Sequence, residues 1–94
     1  MNTNWLNTKE YPFAHNYLTV DGAQLHYIDE GLGEVLLFVH GTPSWSFEFR
    51  NVIKYLSKKY RCIALDHIGF GLSDKPAGYD YSIQNHTATL LKLI

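Results

Sequence analysis

The sequence predicts an α/β fold with a mixed sheet, and three observations carry this prediction. Two alternating, β-rich segments flank Asp21-Gly22, a dipeptide typical of two-residue hairpin turns. Two short apolar runs, Val35–Val39 and residues 60–65, are bounded by turn residues, as strands buried on both faces are. Apolar residues recur at helical spacing between these runs, so strand, helix and strand should form a right-handed crossover with parallel strands.

Length and composition indicate one small globular domain. The chain has 94 residues, 46% of them hydrophobic, and a net charge of −1, which is unlike a disordered chain. The near-neutral charge gives no reason to expect nucleic acid or a membrane surface as a partner, and no segment has the continuous apolar length of a membrane span. Cys62 lies alone in an apolar run and is predicted to be a buried thiol. Without a secretion signal at the N-terminus, these features favour the cytoplasm.

The single domain is expected to begin with an extended arm over residues 1–15, followed by the sheet and helices in residues 16–94. Asn16–Val20 and residues 23–29 are predicted to pair as an antiparallel hairpin with one half-buried face. Residues 30–34 contain two glycines and form the turn that leads into the Val35–Val39 strand.

Helical spacing identifies the first helix. Its predicted buried face carries apolar residues at i, i+3, i+4 and i+7, namely Phe49, Val52, Ile53 and Leu56. Ser44 or Ser46 is the predicted N-cap. Glu48 suits the first turn, and Lys58 and Lys59 suit the last, because charges of these signs complement the helix dipole.

The second buried strand, residues 60–65, leads into a Gly-rich segment, residues 67–76, which we call the 67–76 loop. Asp66 stands at the carboxyl end of this strand, beside His67. These two side chains suit acid–base chemistry, but the expected role of Asp66 is to fix the loop by accepting backbone N–H groups.

A last helix is predicted over residues 82–94, with Asp80 or Ser82 as its cap. Its apolar positions include Ile83, Leu90, Leu91 and Ile94. The order of elements is therefore hairpin, strand, helix, strand, loop and helix.

The segment that follows the Val35–Val39 strand is the most informative functional feature. Its sequence is His-Gly-Thr-Pro-Ser-Trp, and we call residues 40–45 the 40–45 turn. Open α/β sheets bind ligands outside the carboxyl ends of their strands. Gly41 is expected to permit backbone geometry that a side chain would block, and Pro43 to fix the chain direction. The backbone amide of Thr42 can then point into the crevice, where it suits an anion.

Three blocks of sequence resemble the N-terminal part of an α/β-hydrolase. Residues 35–45 look like its strand and oxyanion turn, residues 49–53 like its first helix, and residues 61–76 like its next strand and loop. The combination of His-Gly-x-Pro-x-Trp-Ser with Gly-Phe-Gly-x-Ser-Asp-Lys-Pro is most similar to the branch of haloalkane dehalogenases and epoxide hydrolases. The resemblance covers nearly the whole chain from Tyr17 onward.

The resemblance implies roles for residues of the 40–45 turn. In this family the turn supplies one backbone amide of the oxyanion hole, here Thr42 N–H, which stabilises a tetrahedral intermediate or a leaving halide. Haloalkane dehalogenases usually have Asn or Glu at this position, so Thr42 departs from their pattern and keeps the backbone role. The resemblance also implies a pocket for a small-molecule substrate at His40, Gly41, Pro43 and Trp45, with no cofactor.

Several reactive residues also have simpler structural interpretations. His40 is expected to brace the turn through a hydrogen bond, since the catalytic base of the family lies further along the chain. Trp45 either lines the pocket or packs in the core. Ser73, Asp74 and His86 include the residue types of a triad, but Ser73 lacks a strained elbow. The five His residues share no metal-ligand spacing, so no metal is expected.

The motif that carries the nucleophile in this family is not found in the sequence. No two glycines lie four residues apart, so there is no Gly-x-Ser-x-Gly or Gly-x-Asp-x-Gly elbow. The resemblance implies that nucleophile, acid and catalytic His belong to a longer enzyme, of which this chain is roughly the first third, and that the chain alone is inactive. An Asp nucleophile would indicate a haloalkane dehalogenase or epoxide hydrolase, and a Ser nucleophile an esterase or C–C hydrolase.

The alternative to an enzyme segment is a non-catalytic one, either a truncated product or an interaction fragment. In the family the Val35–Val39 strand lies between the 60–65 strand and the elbow strand. Without the elbow strand, Val35–Val39 presents an exposed apolar edge, which favours association with another chain. We therefore expect the chain to be marginally stable or to self-associate through this edge.

Overall fold

The computed structural model describes residues 10–41, 44–78 and 81–93. One four-stranded sheet organises these residues, in the order β1-β2-β4-β3. Helices lie between β3 and β4 and after β4. The elements are β1 (Asn16–Val20), β2 (Ala23–Glu30), β3 (Val35–Val39), a 3₁₀ helix (Ser46–Phe49), α1 (Arg50–Leu56), β4 (Arg61–Leu65) and α2 (Ile83–Leu93).

The predicted antiparallel hairpin is confirmed, but β2 is buried on both faces and not on one, since the adjacent Leu25 and His26 are both 0% exposed. β1 pairs with β2 in antiparallel register, with Val20 opposite Ala23, so Asp21 and Gly22 alone make the turn. Their φ angles are 50° and 81°. Positive φ at both central positions belongs to a type I′ turn, whose twist matches the twist of the flanking strands and which favours the Asp-Gly pair.

The mixed sheet is also confirmed. β4 pairs in parallel with β3, with Val35 opposite Arg61, and in antiparallel fashion with β2, with Tyr27 opposite Leu65. β4 is therefore interior, and Cys62 on it is fully buried, as predicted. Burial raises the pKa of the Cys62 thiol.

The prediction that β3 is buried on both faces is wrong. Val35, Leu37 and Val39 are 51%, 39% and 42% exposed, whereas Leu36 and Phe38 on the opposite face are partly buried. Phe38 packs against Phe49, at a ring-centroid distance of 5.3 Å. β3 is also the edge strand of the described sheet, as expected in the absence of an elbow strand, and the described residues cover only one of its faces.

The first helix differs from its prediction at both ends. The segment opens as a 3₁₀ helix, and neither the 3₁₀ helix nor α1 has a side-chain N-cap, so the predicted cap by Ser44 or Ser46 is wrong. α1 ends at Leu56, so Lys58 and Lys59 lie beyond its last turn. Ile53 is fully buried, but Val52, expected on the same face, is 44% exposed.

The last helix agrees more closely with its prediction. α2 begins at Ile83, and the Ser82 hydroxyl accepts the backbone N–H of Asn85 at 3.1 Å, as an N-cap does. Leu90 packs inward, but Leu91 is 65% exposed and does not belong to the buried face. Asp80, Ile94 and the side chain of Ile83 lie outside the described residues.

The core lies on both faces of the sheet. Ile53 of α1 packs on one face, in a cluster that includes Ile28, Cys62 and Ala64. Leu90 and Leu93 of α2 pack on the other, against the following side chains: Val20, Ala23, Leu25, Leu65 and Ile68. This arrangement places helices on both faces of the sheet, as in the predicted α/β class.

Two aromatic residues of the expected N-terminal arm, within its described part, belong to this core. Tyr11 and Phe13 are 1% and 7% exposed and belong to the cluster beneath α1. Their rings meet edge to face, with centroids 5.1 Å apart. Residues 10–15 contain neither helix nor strand, and their aromatic side chains pack on the sheet because burial removes a large apolar area from water.

Candidate active site

The parallel pairing of β3 and β4 brings the two candidate segments together. Val39 and Leu65 are register partners at the carboxyl ends of these strands. The residues that follow them, His40 and Asp66, are 3% and 0% exposed. The 40–45 turn and the 67–76 loop therefore start side by side at the sheet edge where ligands bind in this fold class.

His40 braces the turn with both ring nitrogens. Its Nδ1 donates to the carbonyl oxygen of Gly41 at 2.8 Å, and its Nε2 accepts the backbone N–H of His67 at 2.9 Å. Because Nε2 accepts, the ring is the neutral Nδ1–H tautomer. Both nitrogens are occupied within the protein, so His40 has the bracing geometry expected from the sequence and no nitrogen left for a base.

His67 is a buried imidazole between two others. Its ring centroid lies 4.4 Å from that of His40 and 4.6 Å from that of His86 on α2. Burial, together with the neighbouring His40 and His86, lowers the pKa of His67 from 6.5 to about 4. The ring is therefore neutral at pH 7. No sequence pattern indicated this contact between the β4 end and α2.

Asp66 accepts a backbone N–H of the 67–76 loop, as expected, and also a backbone N–H next to the 40–45 turn. Its Oδ2 accepts Leu72 N–H of the 67–76 loop at 3.0 Å, and its Oδ1 accepts Ser46 N–H, just after the 40–45 turn, at 2.6 Å. His26 Nδ1 lies 2.8 Å from Oδ2. Burial raises the pKa of the Asp66 carboxyl, but the hydrogen bonds from these groups outweigh burial and hold that pKa below its usual value.

His26 and Ser73 are buried polar residues of this site. The Ser73 hydroxyl donates to the carbonyl oxygen of Asp66 and accepts the backbone N–H of His26, the latter at 2.7 Å. Ser73 thus links β2 to the end of β4. Both hydrogen bonds of this hydroxyl are with main-chain groups and neither is with a base, which is typical of a structural residue and not of a nucleophile.

Gly71 allows the loop to approach the turn. Its φ is 53°, and a Cβ placed on it would lie 2.6 Å from Asp66 Cγ and 2.7 Å from Trp45 Cβ. Only glycine fits such a close contact at this φ. At Gly41, by contrast, an added Cβ would meet no atom of the described residues within 4 Å and φ is not positive, so these residues give no support to the expectation that a side chain would be blocked there.

The predicted pocket residues are only partly placed. Thr42 and Pro43 lie outside the described residues, so the proposed amide donor has no geometry here. Gly41 is exposed, and His40 is buried. Trp45 is half-buried and packs on Tyr11 and Phe47, with centroids 5.4 and 5.2 Å away, which is the core contact named as its alternative role. The pocket assignment of His40, Gly41, Pro43 and Trp45 stays a prediction.

The described residues contain neither a metal-binding group nor a helix that could span a membrane. Within residues 10–41, 44–78 and 81–93, no three His, Cys, Asp or Glu side chains are grouped so that they could hold a metal ion. Among the helices of this described part, none combines the length and apolar character needed to cross a bilayer.

Comparisons with known proteins agree with this geometry. The sequence profile of the alpha/beta hydrolase fold matches residues 34–94. The chain is 49% identical over 85 residues to a cis-3-alkyl-4-alkyloxetan-2-one decarboxylase of Shewanella oneidensis, a match covering 88% of this chain and 27% of the relative. It is 41% identical over 80 residues to haloalkane dehalogenase 2 of Mycobacterium bovis, covering 85% of this chain and 28% of the relative.

Solved structures show the same similarity. A mutant haloalkane dehalogenase from Agrobacterium tumefaciens superposes with a TM-score of 0.78 at 29% identity, over 85% of this chain and 27% of that one. The chain therefore spans less than a third of the length of these relatives. The matched profile covers most of the sequence, and the site lies at the sheet edge that the fold uses for ligands. The chain belongs to the alpha/beta hydrolase fold family.

Proposed function

We propose that this chain forms the N-terminal segment of a haloalkane-dehalogenase-like hydrolase and supplies the anion-binding side of its active site. The donor is the backbone N–H of Thr42, one half of an oxyanion hole. Nucleophile, acid and catalytic base come from chain beyond this segment, no cofactor takes part, and the substrate is a small molecule. The enzyme works in the cytoplasm, where the buried Cys62 stays reduced.

One observation carries the proposal: the 40–45 turn is held at both ends by the carboxyl end of β4. His40 accepts the N–H of His67 at its start, and Asp66 accepts the N–H of Ser46 directly after its last residue. A donor stabilises developing charge best when its position is fixed before the reaction begins. Two buried anchors at adjacent residues of one strand end supply that rigidity.

Two reactions fit such a donor, and both appear in the names of the similar proteins. Haloalkane dehalogenation produces a halide ion. Decarboxylation of an alkyloxetanone, a four-membered lactone, requires stabilisation of negative charge on an oxygen. Thr42 stands where dehalogenases usually have Asn or Glu, and the identity to the S. oneidensis decarboxylase is 49%. These two observations favour the lactone as the second candidate substrate. The remaining alternatives for the whole enzyme are an epoxide hydrolase and a serine esterase.

The experiment compares the chain alone with a hybrid enzyme. In the hybrid, this chain replaces the N-terminal segment of the S. oneidensis decarboxylase that it matches. Both proteins are assayed for halide release from haloalkanes and for decarboxylation of a cis-dialkyl oxetanone. We expect turnover by the hybrid and none by the chain alone. Turnover by the chain alone, or a folded hybrid without activity, contradicts the proposal.

A further inference from the structure

Asp66 is the point where three parts of the structure meet. Its carboxylate, 0% exposed, accepts N–H groups from Ser46 and Leu72 and lies 2.8 Å from His26 Nδ1. A buried carboxylate with this many donors is ionised, because protonation would place a hydrogen where a donor already points. The three donors come from the residue after the 40–45 turn, from the 67–76 loop and from β2.

The bond to Ser46 controls where the 40–45 turn ends. Ser46 begins the 3₁₀ helix and has no side-chain cap before it. Its own hydroxyl pairs with the Tyr11 hydroxyl at 2.6 Å, so the Ser46 main chain is fixed by Asp66 and its side chain by Tyr11. Charged acceptors form short, strong bonds with backbone N–H groups, so the 2.6 Å bond to Asp66 is the stronger anchor.

His26 in turn orients the carboxylate. It is 0% exposed on β2, with Nδ1 facing Asp66 and Nε2 lying 2.9 Å from His15 Nδ1. The rings of Tyr11 and Tyr17 are its other titratable neighbours, with centroids 6.3 and 5.3 Å away. The His26 ring thus supplies a side-chain donor that holds the carboxylate in its rotamer, beside the main-chain donors of Ser46 and Leu72.

We propose that Asp66 is a positioning residue for the catalytic turn and that His26 acts through Asp66 to keep the Ser46 end of that turn in place. The inference concerns residues outside the amide donor itself, and its catalytic consequence rests on the proposed function of the turn. Loss of the His26 donor would leave the Asp66 carboxylate with the main-chain donors of Ser46 and Leu72, which hold its rotamer less firmly than all three donors together. The Ser46 anchor would then weaken, and with it the end of the turn to which we assign the amide donor.

A matched pair of variants at one position tests this. His26→Asn keeps an N–H donor near the position of Nδ1, and His26→Leu removes it with a similar volume. In the chain, hydrogen exchange is measured by mass spectrometry for peptides that span residues 46–50. We expect exchange to rise by about ten- to a hundredfold in His26→Leu, the range for a lost hydrogen bond to a charged group, and to stay near wild type in His26→Asn.

In the hybrid enzyme, kcat should fall in His26→Leu by a similar factor with KM little changed, and His26→Asn should restore it. Asp29→Asn, which removes a partly exposed carboxylate bonded to Arg61, is the control and should change neither measurement. Equal exchange in His26→Leu and wild type would overturn the inference. Faster exchange with unchanged kcat would uphold the anchor but contradict the proposed function of the turn, so the two failures are distinguishable.

Discussion

His40 Nε2 accepts the backbone N–H of His67 at 2.9 Å, across the carboxyl ends of two parallel strands. The ring thereby provides an acceptor for a buried backbone N–H beyond the end of β4, and its other nitrogen donates to the carbonyl oxygen of Gly41 in the turn. The neutral imidazole of His40 thus links the two chain segments just beyond the last backbone pair of β3 and β4.

The first prediction concerns this ring. His40→Ala removes both hydrogen bonds and leaves His67 N–H without an acceptor, so we expect unfolding to become easier by about 2–3 kcal/mol. His40→Gln places an oxygen near the position of Nε2 and should recover about half of that loss. Urea unfolding monitored by tryptophan fluorescence measures both. Equal stabilities for His40→Ala and wild type would contradict a bracing role.

The second prediction concerns pH. The pKa of His67 is lowered from 6.5 to about 4, so the unfolded chain binds a proton before the folded chain does. Stability from this residue is therefore level above pH 6.5 and is lost as pH falls from 6.5 to about 4, with a slope of at most about 1.4 kcal/mol per pH unit.

His67→Phe keeps an aromatic ring and removes the titration, so its stability should depend less steeply on pH over this range. Burial and the nearby His26 also lower the pKa of His15, so some pH dependence should remain. Thermal unfolding across this pH range provides the measurement. Parallel curves for the variant and the wild type would show that His67 is not the titrating group.

The third prediction separates steric contact from backbone strain. Gly71 and Gly78 have φ of 53° and 74°, but an added Cβ meets Asp66 and Trp45 only at Gly71. Gly71→Ala and Gly78→Ala thus share the cost of a positive φ. Gly71→Ala should cost about 1–3 kcal/mol more, the usual cost of overpacking. Denaturant midpoints measure the difference, and indistinguishable midpoints would mean that the loop does not press on the turn as described.

The fourth prediction concerns association, for which we propose a second copy of the chain as the partner of β3. Within the described sheet β3 pairs with β4 alone, and Val35, Leu37 and Val39 form an exposed apolar row beside its free edge. Leu37→Lys should shift sedimentation towards monomer by placing a charge in that row. Leu91→Lys, on the exposed side of α2, is the matched control. A wild-type chain that is monomeric at every concentration contradicts the proposal.

Much of the fold follows from local patterns. Asp21-Gly22 determines the hairpin because both residues tolerate positive φ, and the strand–helix–strand order determines the parallel β3–β4 pair. The position of β3 beside β4 at the edge of the described sheet agrees with the expectation for a sheet without the elbow strand, but the predicted burial of both its faces was wrong. An apolar pentapeptide is equally typical of an interior strand and of an edge strand whose outer face another segment covers, so Val35, Leu37 and Val39 carry no local signal of exposure.

The site was predicted only at residues within a recognisable motif. His40 and Asp66 were expected to brace and to fix loops, and both make such bonds. Tyr11 and His26 were missed, because their importance depends on contacts made 35 and 40 residues away in the chain, with Ser46 and Asp66. Strand alternation places His26 on the face opposite to Leu25, yet both side chains are 0% exposed, and nothing in that alternation identifies a carboxylate as the partner of His26.

The most direct test of the account is the kcat of the hybrid enzyme with Thr42→Pro against Thr42→Ala. Proline removes the backbone N–H at this position, and alanine keeps it while removing the hydroxyl. The account predicts that Thr42→Ala retains nearly full kcat, while Thr42→Pro loses about a hundred- to a thousandfold, the cost of one oxyanion donor. Circular dichroism and thermal unfolding confirm that both variants are folded. A folded Thr42→Pro variant with the kcat of Thr42→Ala would contradict the role of this turn.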